Sequence, residues 1–252
     1  MFSQRMIFSY LEKWSQIALR QRWVENWTEG AIFPREMVFF LAVCDANQVK
    51  NIVESGRQNG YSTEMIGYYA KENGGLAYSI DLESDRVVAE KCRERLLGNP
   101  KLVLLKGNAL QLVGPLLMSD RVQRTAVLMD GPKGYTAISL LLAASGFSAV
   151  KVVALHNLHA ELAETQEERN YFSRLSKGAH FYEDLGKSHG SQWNALEKEE
   201  VSVCTRVGAL QASSLGVLET DALQRKLALF KMSRRFGRNQ PLTFYLKWRI
   251  AG

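Results

Sequence analysis

The sequence predicts an α/β fold whose centre is a mostly parallel, doubly wound sheet. From residue 50 onwards, short apolar segments alternate with amphipathic ones, which is typical of buried strands that are each followed by a helix. The composition, with 46% hydrophobic and 23% charged residues, is that of an ordinary globular chain and excludes disordered and collagen-like classes. A length of 252 residues suits one such domain with additions at its ends.

Five buried strands are expected, and helices lie between them. The strands are placed near residues 50–54, 76–81, 101–106, 125–130 and 149–155. The helices are placed near residues 62–73, 84–97, 110–119 and 135–145. In the second helix, Ser84 is the expected N-cap and Gly98 the expected end. After a polar excursion over 156–200, segments 201–207 and 214–219 are predicted to be antiparallel strands that finish a Rossmann-like sheet.

The N-terminal segment differs from this central region. Residues 1–49 predict a helical extension with many aromatic side chains, and Pro34 suits the first turn of its second helix. The favoured interpretation is that these aromatic side chains pack onto the core. A surface for a second copy of the chain, which would make a homodimer, and a lid over a pocket are the alternatives. We therefore expect three parts: 1–49, a ligand-binding domain over 50–220, and a basic extension over 221–252.

Positive charge is concentrated in the last segment. Residues 222–252 contain eight basic and no acidic side chains, so this tail carries +8 and the rest of the chain −2, which together give the formal +6. We expect a basic helix over 221–236 and an amphipathic strand near 244–250. An anionic membrane surface, a phosphorylated glycan or nucleic acid would be attracted to the tail. A helix face kept soluble by its charge is the alternative.

Cysteine usage and hydropathy predict a cytoplasmic protein. The three cysteines form no Cys-x-x-Cys pair, and the N-terminus lacks a long apolar signal core. The apolar run over 137–155 is split by Gly146 and Ser148 and contains Lys151, so it predicts a helix followed by a strand rather than a membrane span. Attachment to a membrane would then be peripheral, through the basic tail.

The turn after the first strand is rich in glycine and hydroxyl groups. Glycine lets the backbone approach a ligand closely, a Ser or Thr can cap the following helix, and the amide groups at its start favour an anionic group. An acid at the end of the strand is suited to hold loop amides or an ammonium group, so the ligand should also carry positive charge. The candidate ligand-binding residues are Glu54, Ser55, Gly56, Gly60, Ser62 and Thr63.

An acid at the end of the second strand points to a nucleoside. Asp81 stands 21 residues after Gly60, where a carboxylate can accept hydrogen bonds from a ribose diol. A nicotinamide dinucleotide is disfavoured, because its G-x-G-x-x-G turn is replaced here by Gly56 and Gly60 with three other residues between them. Glu54 would also be badly placed for a pyrophosphate.

These segments together resemble the class I S-adenosylmethionine-dependent methyltransferases, over roughly residues 50–220. The run from Glu54 to Thr63 resembles the first motif of the small O-methyltransferase branch, in which an acid, glycines and Ser-Thr surround the methionine end of the cofactor. Gln58 stands where that motif has its middle glycine. The resemblance implies S-adenosylmethionine as the cofactor and methylation of a hydroxyl on a small-molecule or glycan acceptor.

The same resemblance assigns roles to residues at the later strand ends. It implies that Asp81 binds the ribose hydroxyls, with Leu82 beside it. Asn108 and Ala109, in a segment that resembles the family's "G-D-A" motif, would lie beside the adenine. Asp130 would lie near the reacting methyl group and also contact the cofactor.

Two devices could activate the acceptor. Catechol-type O-methyltransferases hold magnesium with an acid after the fourth strand and an Asp-Asn pair after the fifth. By resemblance Asp130, His156 and Asn157 would hold a divalent ion, although imidazole suits zinc, iron or nickel better than magnesium. Alternatively, the Gly131-Pro132 turn presents Lys133 at the rim of the pocket, where it would act as a base or bind an anionic group of the acceptor; we favour substrate binding. Asp130 and Lys133 are therefore the candidate catalytic residues.

Two further observations bear on the choice of function. Methyltransferases that modify nucleic-acid bases present (Asp/Asn/Ser)-Pro-Pro-aromatic where this chain has Asp130-Gly131-Pro132-Lys133, so a nucleic-acid substrate is disfavoured. Gln58, Asn108 and His156 each replace a more usual family residue, which motivates the alternative of a binding or scaffold protein that keeps the fold without catalysis.

Overall fold

A seven-stranded sheet forms the centre of the molecule. The computed structural model describes residues 4–119, 123–159, 163–175, 179–185, 190–208, 214–221 and 224. The strands are β1 (Asn51–Ser55), β2 (Ala77–Asp81), β3 (Leu102–Lys106), β4 (Thr125–Met129), β5 (Val150–Leu155), β6 (Ala179–His180) and β7 (Gly216–Glu219). The helices are α1 (Gln4–Arg20), α2 (Pro34–Ala46), α3 (Tyr61–Glu72), α4 (Arg86–Leu96), α5 (Ala109–Met118), α6 (Gly134–Ser145), α7 (Ala163–Leu175) and α8 (Ser191–Val207), with a short 3₁₀ helix over Tyr182–Leu185.

The strand order is β3-β2-β1-β4-β5-β7-β6. β1 to β5 are parallel, and β7 pairs antiparallel with both β5 and β6. The Rossmann-like prediction is therefore confirmed, together with its five parallel strands and the four helices between them. Because the chain order reverses between β1 and β4, the connections that follow these two strands diverge and leave a crevice at the carboxyl edge of the sheet.

The strands form where they do because both faces of the sheet are covered. Along β4, Ala126 and Leu128 pack into the cluster that contains α1, α2, α3 and α8, whereas Val127 and Met129 pack into the cluster that contains α5 and α6. All five β4 residues are buried. A continuous apolar run is what a parallel strand buried on both faces requires.

Two local predictions are wrong. Segment 201–207 is the end of α8 and not a strand; Leu196, Glu200 and Cys204 are buried at the four-residue spacing of a helix face, a period that the local Val-x-Val alternation obscured. β7 pairs instead with β5 and with β6, which the sequence did not predict. The N-cap of α4 is Asp85 rather than Ser84, because the Asp85 carboxylate accepts bonds from the amides of Val87 and Val88.

The N-terminal helices belong to the same core as the sheet. Trp14 is buried and its ring stacks on Tyr69 of α3 at 5.2 Å, as the favoured interpretation of the aromatic residues predicts. Pro34 begins α2, and the buried Glu36 carboxylate accepts a bond from the Leu215 amide at 2.8 Å and another from the Ser214 amide. α2 therefore holds the start of β7 in place.

The basic C-terminal segment is outside this description apart from 221 and 224. The predicted helix over 221–236 and the strand near 244–250 therefore lie outside the described residues. In the part of the chain that the structure describes, none of the helices has the length and apolar character that crossing a bilayer requires.

Candidate active site

The ends of β1 and β4 are in direct contact at the crevice. The Ser55 carbonyl oxygen accepts bonds from the amides of Asp130 and Gly131, both at 2.8 Å, and the Ser55 hydroxyl donates to the Gly131 carbonyl. Gly56 has φ +85°, and a Cβ added there would lie 2.8 Å from the Gly131 nitrogen. Only glycine fits at this position, because both the backbone conformation and the neighbouring chain exclude a side chain.

Glu54 holds the turn after β1 in place from the buried side. Its carboxylate is fully buried and accepts hydrogen bonds from Ser62 and Ser79, both at 2.5 Å, and from Thr63. Burial raises the pKa of Glu54 to about 7, against the opposing effect of these hydroxyl donors. Ser62 and Thr63 thus bind Glu54 instead of capping α3, whose N-cap is Gly60 with φ +82°.

Asp81 ties the β1 turn to the end of β2. One carboxylate oxygen accepts bonds from the amides of Arg57 at 2.9 Å and Gln58 at 3.2 Å, and the other accepts the Glu83 amide at 2.6 Å. Gln58 adopts φ +45°, which is the left-handed region that favours glycine. Gln58 thus has a backbone conformation that suits the glycine found at this position in the motif that the turn resembles.

Arg57 is a functional candidate that the sequence analysis missed. Its guanidinium is buried, donates to the carbonyl oxygens of Ser79 at 2.8 Å and Leu105 at 3.1 Å, and forms an ion pair with Glu83. Glu83 also pairs with Arg93 on α4. The available signal was a cation inside a glycine turn, followed by two acids at the end of the next strand. Arg57 joins the turn after β1 to the ends of β2 and β3.

Two exposed leucines follow the neighbouring strands β2 and β3. Leu82 comes directly after Asp81 and is 62% exposed, and Leu110 lies at the start of α5 with 45% exposed. Asn108 accepts a bond from the Leu110 amide at 2.9 Å and so caps α5, while Ala109 is buried. Exposed apolar side chains at the carboxyl edge of the sheet are suited to pack on a flat heterocycle.

Asp130 is the centre of a charged cluster after β4. A single oxygen, Oδ1, accepts from Lys133 Nζ at 2.6 Å, His156 Nδ1 at 2.7 Å and Asn157 Nδ2 at 3.0 Å. Burial alone would raise the pKa of Asp130, but His156 and Lys133 hold it well below its usual range. Asn157 has φ +69°, a left-handed conformation that asparagine tolerates. Asp130 is therefore an ionised carboxylate.

The cluster brings the three predicted metal ligands together but does not suit a divalent ion. The Lys133 ammonium already contacts the one carboxylate of the set, and Asn157 directs its amide nitrogen at the same oxygen. Across the described segments no group of three or more His, Cys, Asp or Glu side chains could hold a metal ion. The expectation of a metal here does not fit the residues present, since a hard divalent ion needs several oxygen ligands free of competing cations.

No family model and no curated protein matches this chain. Among solved structures it is similar to an O-methyltransferase from Bacillus cereus in complex with SAH, with 13% identity, a TM-score of 0.47, and coverage of 82% of this chain and 90% of that one. It is also similar to the O-methyltransferase TomG from Streptomyces achromogenes in complex with SAM, with 14% identity, a TM-score of 0.47, and coverage of 83% and 89%.

A cavity of about 410 Å³ opens next to Lys133 and His156, the partners of Asp130, between the start of α6, the end of β5 and helix α7. This volume lies in the range of small-molecule sites. Burial and the neighbouring His156 lower the pKa of His159, which is part of the wall. The lining residues are Lys133, Gly134, Leu155, His156, Asn157, Leu158, His159, Thr165 and Glu168.

The structure brings the main predicted site residues to one edge of the sheet, at the ends of β1, β2 and β4. Glu54, Ser62 and Thr63 are buried and shape the turn, whereas Asp81 and Asp130 are partly exposed at its rim. Direct contact of each predicted residue with a cofactor stays a prediction.

Proposed function

We propose that this protein is an S-adenosylmethionine-dependent methyltransferase that methylates a hydroxyl of a small-molecule or glycan acceptor. One observation carries the proposal. Asp81 and Asp130 lie on either side of the glycine turn after β1, at the point where the strand order reverses. A ligand in this crevice would meet Asp81 at one end, where a carboxylate can accept hydrogen bonds from the ribose of a nucleoside. At the other end it would meet the carboxylate of Asp130, which is suited to attract a cation.

The residues present support a nucleoside with a cationic centre. Asp81 is at the rim for a ribose, and the exposed Leu82 and Leu110 offer apolar surface for an adenine. Because Gly56 has no side chain, the turn after β1 puts no side chain at this position between these groups and Asp130. When bound, S-adenosylmethionine supplies a methyl group on sulfur that is open to in-line attack by a nucleophile.

Asp130 and His156 can remove the proton of an acceptor hydroxyl. An ionised carboxylate only accepts hydrogen bonds, so the 2.7 Å contact requires the proton to be on His156 Nδ1. Nε2 is then the ring nitrogen that can take a proton, as in other carboxylate–imidazole pairs. Since His156 and Lys133 both line the 410 Å³ cavity, that cavity is the proposed acceptor site.

Calorimetric titration with S-adenosylmethionine and S-adenosylhomocysteine tests this function. We expect saturable binding by the wild type, and binding at least about tenfold weaker after Asp81→Asn, because hydrogen bonds to a charged group are lost. Asp85→Asn, which removes a carboxylate that only caps α4, is the matched control and should bind like the wild type. If neither compound produces heat or a thermal shift with the wild type, the proposal fails.

A binding protein without catalysis is the second candidate. It is favoured by the three backbone amides that already occupy Asp81, which give that carboxylate a structural role. The two candidates differ in one measurement. Methyl transfer to any acceptor that is abolished by Asp130→Ala would eliminate the binding-only alternative.

A further inference from the structure

Beside Asp130, where the sequence predicted a divalent ion, the structure has the ammonium group of Lys133. Lys133 Nζ lies 2.6 Å from Asp130 Oδ1, and the lysine side chain is 59% exposed whereas that of Asp130 is 20% exposed. Lys133 therefore both contacts the carboxylate and forms part of the cavity wall. A second donor, His156, binds the same oxygen and is nearly buried.

We infer that Lys133 takes the place of a metal ion in this site: its ammonium binds the reacting oxygen of the acceptor as negative charge develops there, and the site operates without a divalent cation. This inference rests on the proposed function. A metal would have to displace the ammonium and then find its remaining oxygen ligands in a set that offers one carboxylate, an imidazole and an amide.

The local backbone places the lysine for this role. Lys133 is the N-cap of α6, so the first amides of that helix add positive potential on the same side. The following Gly134 has φ +64°, which sets the direction in which the chain enters the helix. An ammonium group with three N–H donors can keep its bond to Asp130 while it donates to an acceptor oxygen.

The proposed step is balanced without a further reactant. Transfer to the hydroxyl oxygen forms a C–O bond and breaks the C–S bond, whose electron pair stays on sulfur. The hydroxyl proton passes to His156 Nε2, and Lys133 stays protonated throughout. No oxidant, reductant or metal is consumed.

Metal binding provides the first test. The protein, dialysed against EDTA, is titrated with Mg²⁺, Mn²⁺ and Zn²⁺, and its metal content is measured after gel filtration. We expect no bound ion that depends on Asp130, and a methyl-transfer rate unchanged by EDTA. A stoichiometric ion that is kept in the wild type and lost in both Asp130→Asn and His156→Ala, or a rate that EDTA abolishes and Mg²⁺ restores, would overturn the inference.

An oxyanion probe provides the second test. Para-nitrophenol changes colour when it ionises, so its spectrum reports the charge on its oxygen when it is bound. We expect saturating protein to raise the ratio of phenolate to phenol by about tenfold, because a nearby positive charge lowers the pKa of the phenol by about one unit. Lys133→Met should abolish the change, Lys133→Arg should keep part of it, and Lys71→Met, at an exposed lysine on α3, should keep all of it. No phenolate signal, or a signal that survives Lys133→Met, would overturn the assignment.

These tests separate the inference from the proposed function. Both the metal content and the spectrum of bound para-nitrophenol are measured without S-adenosylmethionine. If the protein binds neither S-adenosylmethionine nor S-adenosylhomocysteine but shows the expected metal content and para-nitrophenol spectrum, methyl transfer is refuted while the oxyanion role of Lys133 holds. If the protein binds S-adenosylmethionine but fails the metal test or the para-nitrophenol test, only the role of Lys133 is refuted.

Discussion

The two halves of the crevice hold their acids in different ways. On the β1–β2 side, Asp81 is bound by backbone amides and the buried Arg57 is bound by backbone carbonyls and Glu83. On the β4–β5 side, Asp130 is bound by three side chains, one of which, Lys133, is largely exposed. The first half is a rigid scaffold, since most of its partners are backbone groups of the strands and of the turns that directly follow them. The second half can exchange a partner for a ligand without disturbing the fold.

The largest expected effect is on the rigid half. Arg57→Met should lower the free energy of unfolding by about 3 to 5 kcal/mol, because Glu83 would lose its buried partner and two strand-end carbonyls would lose a donor. Urea denaturation measures the change. Arg86→Met removes an exposed pair with Glu90 and should alter stability by less than about 1 kcal/mol. Equal losses in the two variants would contradict the division of the crevice into a rigid and an exchangeable half.

A second effect comes from Glu54 and depends on pH. Burial raises its pKa from 4.5 to about 7, so the folded protein binds more protons than the unfolded chain between these values. Stability should therefore fall as pH rises through this window, by about 3 kcal/mol in total. Urea denaturation at about pH 5 and about pH 8 measures the fall, and Glu54→Gln should remove it. The same pH slope in wild type and variant would show that other groups cause it.

The third prediction concerns the exchangeable half. Asp130→Asn should lower kcat/KM by about 100-fold, since His156 would lose the carboxylate that orients its ring and holds its proton on Nδ1. The unfolding free energy should change less than in Arg57→Met, because Lys133 can turn to solvent. Release of S-adenosylhomocysteine in the presence of a panel of hydroxyl acceptors measures the rate. An unchanged rate would remove Asp130 from the proposed mechanism.

The smallest effect on the fold is expected from the basic tail. Gln224 donates to the carbonyls of Ser145, Phe147 and Val150, so a chain that ends at residue 224 keeps these bonds and loses all eight basic side chains of the tail. Its unfolding free energy should stay within about 0.5 kcal/mol of the full chain.

The same truncation tests membrane association. Sedimentation with anionic liposomes should pellet the full chain at low salt and leave the shortened chain in solution, with the difference reduced at high salt. Equal pelleting of both chains would exclude the tail as the membrane-binding segment. The cytoplasmic location and the homodimer stay predictions.

Much of the fold could be predicted because its signals are local. Continuous apolar runs mark strands that are buried on both faces, and Pro34 marks the start of a helix. The prediction failed over 201–207, because a short segment with alternating valines has the period of a strand and only contacts with the core showed it to be one face of α8. β6, which has two residues, is too short to leave a pattern.

The candidate site divides in the same way. Glu54, Gly56, Asp81 and Asp130 could be predicted, because residues that end parallel strands meet at one edge. The roles of Arg57 and Glu83 could not, since their ion pair joins the turn after β1 to the residues after β2 across 26 positions of sequence. The sequence positions of Asp130 and His156 fit a metal site and an ion-paired cluster equally well. The contact of Lys133 with the same oxygen of Asp130, which only the structure shows, favours the ion-paired cluster.

The sequence by itself determined the order of the five parallel strands and of the four helices between them, the placing of acids and glycines at the strand ends, and the separation of a near-neutral body from a cationic tail. These follow from periodicity, turn chemistry and charge, which are properties of neighbouring residues. Only the tertiary structure decided which donors each carboxylate binds: backbone amides for Asp81, hydroxyls for Glu54, and Lys133 with His156 for Asp130. Hydrogen bonds and ion pairs depend on distances between segments that are far apart in the chain, and these distances exist only once the sheet has formed.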